Sequence, residues 1–199
     1  MSTLVTKQAP AFTAMAVMPD DSFREDFSLA ELQGQYVVLL FYPSDFSFVC
    51  PSEILALDHR IGQFRERDCA VVGVSVDSHH THLAWKRTPV DGGGIGPIQF
   101  PLVADLRKQI SRDYGVLVGD AVALRATFVI DRLGVVRHQV VNDPDLGRNI
   151  EDTLRTLDAL RHVETHGEVC PANWEAGRAA MQATPAGVVR YLKDFGLNL

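Results

Sequence analysis

Two hydrophobic patterns alternate along this chain: unbroken apolar runs, and apolar positions that recur every third or fourth residue. The first run, Tyr36 to Tyr42, ends at Pro43, which cannot continue a central strand. From Pro51 onward Ile54, Leu57, Ile61 and Phe64 fall at spacings of three and four, one face of a helix that should reach about Arg67. A second run, Ala70 to Val76, ends at Asp77-Ser78, a helix N-cap pair. Runs this continuous suit strands covered on both faces. Strand, helix, strand at this length is a crossover and implies a parallel pair.

The remaining pattern is weaker on one side of this unit than on the other. Residues 1–35 read as a peripheral lead-in: Pro10-Ala-Phe12 is extended, Pro19 to Ser22 is a turn, and Ser28-Leu-Ala-Glu31 is a capping box opening a short helix that Gly34 ends. Ser78 to Arg87 predicts a short helix carrying His79, His80, His82 and Trp85. His79 and His82 share a face but His80 does not, and no second ligand pair follows. A solvated polar face is therefore expected rather than a metal site. Asp91 to Pro97 is glycine-rich, yet a phosphate cradle would need Lys and Ser/Thr opening a helix. A flexible surface loop is expected, followed by a strand-like Ile98 to Val103. Ser111 to Gly115 closes another short helix. Arg125 to Ile130 reads as a buried strand, Asp131 to Gly134 as a turn, and Val135 to Val141 as the antiparallel partner. Asn149 to His162 is an amphipathic helix with Ile150, Leu154, Leu157 and Leu160 on one face. After it comes a helix-tending stretch split by Thr184-Pro185, with a Val188 to Leu192 turn, too weakly periodic for a second core. The chain thus divides into a domain, 1–166, and an arm, 167–199, that packs on something else.

Composition narrows the function. With 46% hydrophobic residues the chain can bury a substantial core. A net charge of −6 argues against nucleic acid or an anionic membrane surface as partner. No apolar run approaches the ~18 residues of a spanning helix. Met1 to Met18 has one Lys and no continuous apolar stretch, so no signal peptide is read there and a cytoplasmic protein is expected. Three cysteines, Cys50, Cys69 and Cys170, are too few and too scattered for a structural disulfide framework. In a reducing cytosol disulfides tend to be transient and catalytic, which points to one or two functional thiols and a passenger. Cys69, just before the second strand, reads as a small apolar filler.

Cys50 lies past the carboxyl end of the first strand, with Pro51 behind it in the first turn of the helix. Free N–H groups and the helix dipole favour an anion there, a setting that promotes the reactive thiolate. Position alone leaves a buried structural cysteine equally open. A thioredoxin-type redox site would need Cys-x-x-Cys, but Ser47 and Glu53 stand at the two candidate positions. Arg125 opens a buried strand with no acidic neighbour in sequence, either as an edge charge facing water or as part of a site.

Longer strings decide between these readings. Pro43-x-x-x-Ser47-x-x-Cys50-Pro51 resembles the peroxiredoxin active-site motif, with Ser47 where most members carry Thr. Gly93-Gly-Ile-Gly96, Arg125-Ala-Thr-Phe128 and Gly167-Glu-Val-Cys-Pro-Ala-Asn-Trp174 match further elements of that family in order. Over roughly Leu4 to Leu192 the chain resembles the typical two-cysteine peroxiredoxins of the bacterial alkyl hydroperoxide reductase C/thioredoxin peroxidase group. The resemblance implies a thioredoxin-like α/β fold, a central mixed sheet flanked by helices plus a C-terminal arm. It also implies a thiol peroxidase in which Cys50 is the peroxidatic cysteine and Cys170 of a partner subunit the resolving one. Arg125 and Ser47 would hold the peroxide, Pro43 would shield the thiolate, and Glu53 would orient Arg125. No metal or organic cofactor is implied. The implied partners are a peroxide, thioredoxin or an equivalent disulfide reductase, and a second copy in a homodimer often assembled into ring decamers. The glycine element is the one associated with sensitivity to overoxidation, whereas Tyr191-Leu192 replaces the Tyr-Phe of sensitive members, so the two signals oppose each other. A general thiol–disulfide oxidoreductase and a non-catalytic holdase are the competing classes. Neither accounts for Pro43, Ser47, Cys50 and Arg125 together.

Overall fold

The computed structural model describes residues 3–198; the extreme ends of the expected domain and arm, residues 1–2 and 199, lie outside the described residues. The chain forms two compact units, one running to Ile150 and one from Glu151 on.

The first unit opens with β1 (Thr13–Val17) and β2 (Phe23–Ser28), an antiparallel hairpin. The apolar run then forms β3 (Tyr36–Phe41), every residue of it buried. It is followed by α1 (Cys50–Asp58), α2 (Ile61–Glu66) and β4 (Cys69–Ser75), which pairs parallel with β3 as the crossover required. Next come α3 (His79–Arg87), β5 (Leu102–Ala104) and α4 (Gln109–Asp113). A small separate hairpin, β6 (Leu117–Val118) with β7 (Val122–Ala123), precedes β8 (Arg125–Ile130) and β9 (Val136–Asn142). Seven strands make one sheet in the order β2-β1-β5-β4-β3-β8-β9. The three central neighbours β5, β4 and β3 are parallel, β1 and β8 run against them, and the edge strands β2 and β9, each antiparallel to its neighbour, run with them. This mixed sheet flanked by helices is a thioredoxin-like α/β fold. Its core joins Val37, Leu39, Phe41, Val72, Val74, Phe128 and Ile130 from the central strands with Tyr114 and Val116 beyond α4.

Several expectations are corrected. The lead-in is not peripheral: β1 joins the main sheet beside β5, and Gln8 bridges to Val135 just before β9. Ala14 and Ala16 gave β1 too little strand propensity to be read. The helix expected through Arg67 is two. Arg60 leaves helical geometry (φ −109°, ψ 7°), and its guanidinium caps the Ala56 carbonyl at 3.1 Å. The apolar face survives the break, since Ile54, Leu57, Ile61 and Phe64 are all buried. The strand expected from Ile98 is confined to Leu102–Ala104. The glycine-rich loop is packed rather than free: Ile95 is buried and its N–H donates to the Trp85 carbonyl, while the Trp85 indole N–H donates to Gly93 O at 3.1 Å. At Gly94 a β-carbon would overlap the Thr88 carbonyl, so the loop needs glycine there for space.

The second unit comprises α5, which begins at the unit boundary (Ile150–His166), a bridged segment pairing Val169 with Met181, and α6 (Pro185–Phe195). Thr184-Pro185 opens α6 instead of splitting a helix. The Thr184 hydroxyl accepts from Gly187 N at 3.0 Å and Pro185 occupies the first turn, the two residue types best suited to those places.

Candidate active site

Topology brings the chemistry to one end of the sheet. Parallel β3 delivers the chain to α1 at its carboxyl end, and because β8 is antiparallel to β3, its first residue, Arg125, lies at that same end. The loop that follows β9 returns there too. Cys50 is the first residue of α1 and is fully buried. Glu53 lies one turn further on the same face and is 3% exposed. The Arg125 guanidinium joins them: its Nη1 donates to Cys50 Sγ at 3.1 Å and to Glu53 Oε2 at 2.7 Å. Its Nε is anchored on the Pro144 carbonyl at 2.6 Å. Arg125 is therefore not an edge charge in water.

A second guanidinium completes the cluster. Arg148 holds Glu53 bidentately, through Nε to Oε1 at 2.8 Å and Nη2 to Oε2 at 2.9 Å, with its backbone N–H also donating to Oε1 at 2.9 Å. Its Nη1 donates to the carbonyls of Phe41 at 2.7 Å and Ala126 at 2.8 Å, tying the site to the ends of β3 and β8. Burial pushes the Glu53 carboxyl up, but the Arg148 bonds and the charges of both arginines outweigh it and hold it below its ordinary value. Burial works against the Arg125 charge in turn, and the bond and charge of Cys50 with those of Glu53 raise its affinity for its proton. Two guanidiniums thus face one carboxylate and one sulfur, and the cluster is neutral when the sulfur carries the second negative charge.

Ser47 and Pro43 lie in the loop leading into α1, both partly buried. The Ser47 hydroxyl donates to Ser44 O at 2.8 Å, which leaves its lone pairs free to accept. The loop is pinned by Asp45. Its N–H donates to Asp77 Oδ2 at 2.8 Å, Oδ1 accepts from the Tyr42 hydroxyl at 2.9 Å, and Oδ2 lies 2.7 Å from His82 Nδ1. His82 Nε2 donates to the Val103 carbonyl at 3.2 Å. The polar face expected on α3 is corrected here: His82 is fully buried, as is Trp85. Only His79 and His80 fit that expectation in part, edge-on to the Phe23 ring. Among the described residues no group of His, Cys, Asp or Glu is placed to hold a metal ion.

Cys69 is buried at the start of β4, away from this cluster. Cys170 belongs to the second unit, where its Sγ lies 3.6 Å from the Ala159 carbonyl of α5. Burial and the Glu168 charge push its thiol up, with Arg155 pulling the other way.

Arg148 and Asp45 are not singled out from the sequence, and His82 is read there only as part of a solvated polar face. For His82 a signal existed, since it sits three residues before Trp85 and so shares the face a large apolar residue would bury. Arg148 left no local trace, because a loop arginine reads as solvated until the sheet topology folds it inward.

Comparison with known proteins finds relatives over nearly the whole chain. Residues 5–139 match the AhpC/TSA family, and residues 159–194 match the C-terminal domain of 1-Cys peroxiredoxin. Alkyl hydroperoxide reductase C of Helicobacter pylori strain J99 is 52% identical over 98% of this chain and all of its own length. The human mitochondrial thioredoxin-dependent peroxide reductase is 49% identical over 95% of this chain and 73% of its own. The crystal structure of reduced Plasmodium vivax 2-Cys peroxiredoxin superposes with a TM-score of 0.95 at 50% identity, covering 96% of this chain and all of that one.

Proposed function

This chain belongs to the AhpC/TSA family, the peroxiredoxins, and from that premise we propose that Cys50 is the residue that attacks peroxide and Cys170 the one that resolves it. The protein is a thiol-dependent peroxidase, an antioxidant oxidoreductase. What remains to assign is which of its side chains does what.

Cys50 as thiolate attacks one oxygen of the substrate. The S–O bond forms as the O–O bond breaks, and the departing oxygen takes a proton from solvent and leaves as water or an alcohol. The observation that carries this reading is the buried Arg125 Nη1 donating to Cys50 Sγ at 3.1 Å. A guanidinium fixed there favours the thiolate and the negative charge that grows on the leaving oxygen. Glu53 and Arg148 hold Arg125 in position, so little rearrangement accompanies the reaction. Ser47, its proton committed to Ser44 O, is free to accept the peroxide O–H and orient it. Pro43, without an N–H, shields the thiolate from water.

In the second step Cys170 of another subunit displaces hydroxide from the Cys50 sulfenic acid and forms an intersubunit disulfide. A dithiol protein then reduces that disulfide by exchange. Thioredoxin is the reductant we favour, supported by the name of the human relative. A homodimer, assembled into a ring decamer and working in the cytoplasm, fits this cycle. Among the described residues no helix is long and apolar enough to cross a membrane.

The test is non-reducing electrophoresis after one equivalent of hydrogen peroxide, on wild type, Cys50→Ser and Cys170→Ser. A covalent dimer only in wild type is expected, with Cys69→Ser behaving as wild type. Peroxide consumption that persists in Cys50→Ser would overturn the assignment.

A further inference from the structure

The arm holds chemistry that the cycle above does not use. The segment bridged by Val169 and Met181 is extended, so Glu168 and Cys170, two residues apart, project to the same side. Glu168 Oε2 lies 3.0 Å from His162 Nε2 on α5. The His162 ring is itself fixed, stacked on His166 with centroids 4.3 Å apart and tilted against Trp174 at 4.8 Å. The carboxylate is therefore held on the side of the Cys170 sulfur. Opposing it is Arg155, whose Nε pairs with Asp152 at 2.8 Å and whose Nη1 donates to Trp174 O at 3.3 Å. Burial is the largest influence pushing the Cys170 thiol up; the Glu168 charge adds to it and the Arg155 charge opposes it.

We propose that Glu168 is a brake on disulfide formation, a positioning residue whose carboxylate, fixed by His162, opposes negative charge on the Cys170 sulfur. The proposal rests on Cys170 being the resolving cysteine. In that step the Cys170 sulfur must shed its proton to attack the Cys50 sulfenic sulfur. The S–S bond forms, the S–O bond breaks, and the hydroxide leaves with the thiol proton as water. A carboxylate beside the attacking sulfur lowers the fraction present as thiolate. The sulfenic acid then lives longer, and a second peroxide has more time to carry it to the sulfinic acid. Glu168 would in this way set how the oxidised protein divides between turnover and overoxidation.

The experiment is rapid mixing of the full-length protein with hydrogen peroxide. Disulfide is followed by quenching with an alkylating agent, and sulfinic acid by mass, for wild type, Glu168→Gln and Arg155→Gln across a pH series. Glu168→Gln should form disulfide about threefold faster, because a gain in thiolate is partly offset by the weaker nucleophilicity of a more acidic thiol. The pH midpoint of that step should move down and the sulfinic yield should fall. Arg155→Gln should do the reverse. Damage to the arm would slow both variants, so opposite signs separate electrostatics from structure. If Glu168→Gln forms disulfide at or below the wild-type rate, the brake is refuted while the resolving role of Cys170 stands. If wild type forms no Cys50–Cys170 disulfide at all, the resolving role falls and the brake with it.

Discussion

At the scale of single residues, the site is a set of buried charges that tolerate little change. Arg125 serves Cys50 and Glu53 with one nitrogen and Pro144 with another, a fork that an ammonium cannot reproduce. Arg125→Lys keeps the charge and loses the geometry, and should slow the reaction of Cys50 with peroxide about 10²-fold, the scale of one lost oxyanion donor. Stopped-flow measurement of the first oxidation step checks this, and a rate near wild type would remove Arg125 from the mechanism. Glu53 predicts a pH dependence. Its folded-state value is below the ordinary 4.5, so its contribution to stability is complete above 4.5 and drains away as pH falls through the folded value. Glu53→Gln leaves two buried guanidiniums short of a counter-charge and should cost about 3 kcal/mol at neutral pH. Melting curves between about pH 7 and pH 3 should show the gap between wild type and variant narrowing only at the acid end. Cys50 was marked in the sequence by a motif of fixed spacing, Arg125 by the separate Arg-Ala-Thr-Phe string, and Glu53 only as a carboxylate to orient Arg125; the structure brings the three together. Arg148 and the Asp45–His82 pair were not so marked, because their partners lie far along the chain and only the folded sheet brings them together.

At the scale of elements, two short features carry testable consequences. The Thr184 cap and Pro185 start α6, and Thr184→Ala should weaken that helix by about 1 kcal/mol. Faster hydrogen exchange of the 188–192 amides, with the exchange of β3 unchanged, is the expected result. Gly94 faces the Thr88 carbonyl so closely that any side chain must displace it. Gly94→Ala should therefore lower the melting temperature by several degrees, about 1–3 kcal/mol for an overpacked site. The elements read correctly from the sequence share one property, a strong local signal. The unbroken runs of β3, β4 and β8 and the Ser78 cap of α3 needed no tertiary information. The hairpin β1–β2 was missed because alanines and a Phe-Arg-Glu-Asp-Phe stretch carry little strand preference of their own, and pairing with β5 supplies what propensity does not. The break between α1 and α2 was invisible because the apolar spacing continues across it.

At the scale of the whole molecule, the assignment of roles across subunits has a direct test. Cys50→Ser and Cys170→Ser chains, each unable to complete a disulfide alone, should on mixing and peroxide treatment give a covalent heterodimer with a single bond. If the disulfide forms within one chain, the mixture stays monomeric on a non-reducing gel although wild type is oxidised. Oxidation also alters what the molecule carries inside. With Cys50 as thiolate, Arg125 and Arg148 are balanced by two negative groups; as an uncharged sulfenic acid, Cys50 balances neither. On the roles proposed, each turnover would leave this four-residue cluster with a stranded positive charge, in surroundings where an unmatched charge is costly. If Cys50 has the role proposed, its oxidised state is the one the pocket would hold least well, and the first turn of α1, where that sulfur sits, is where the strain would be felt.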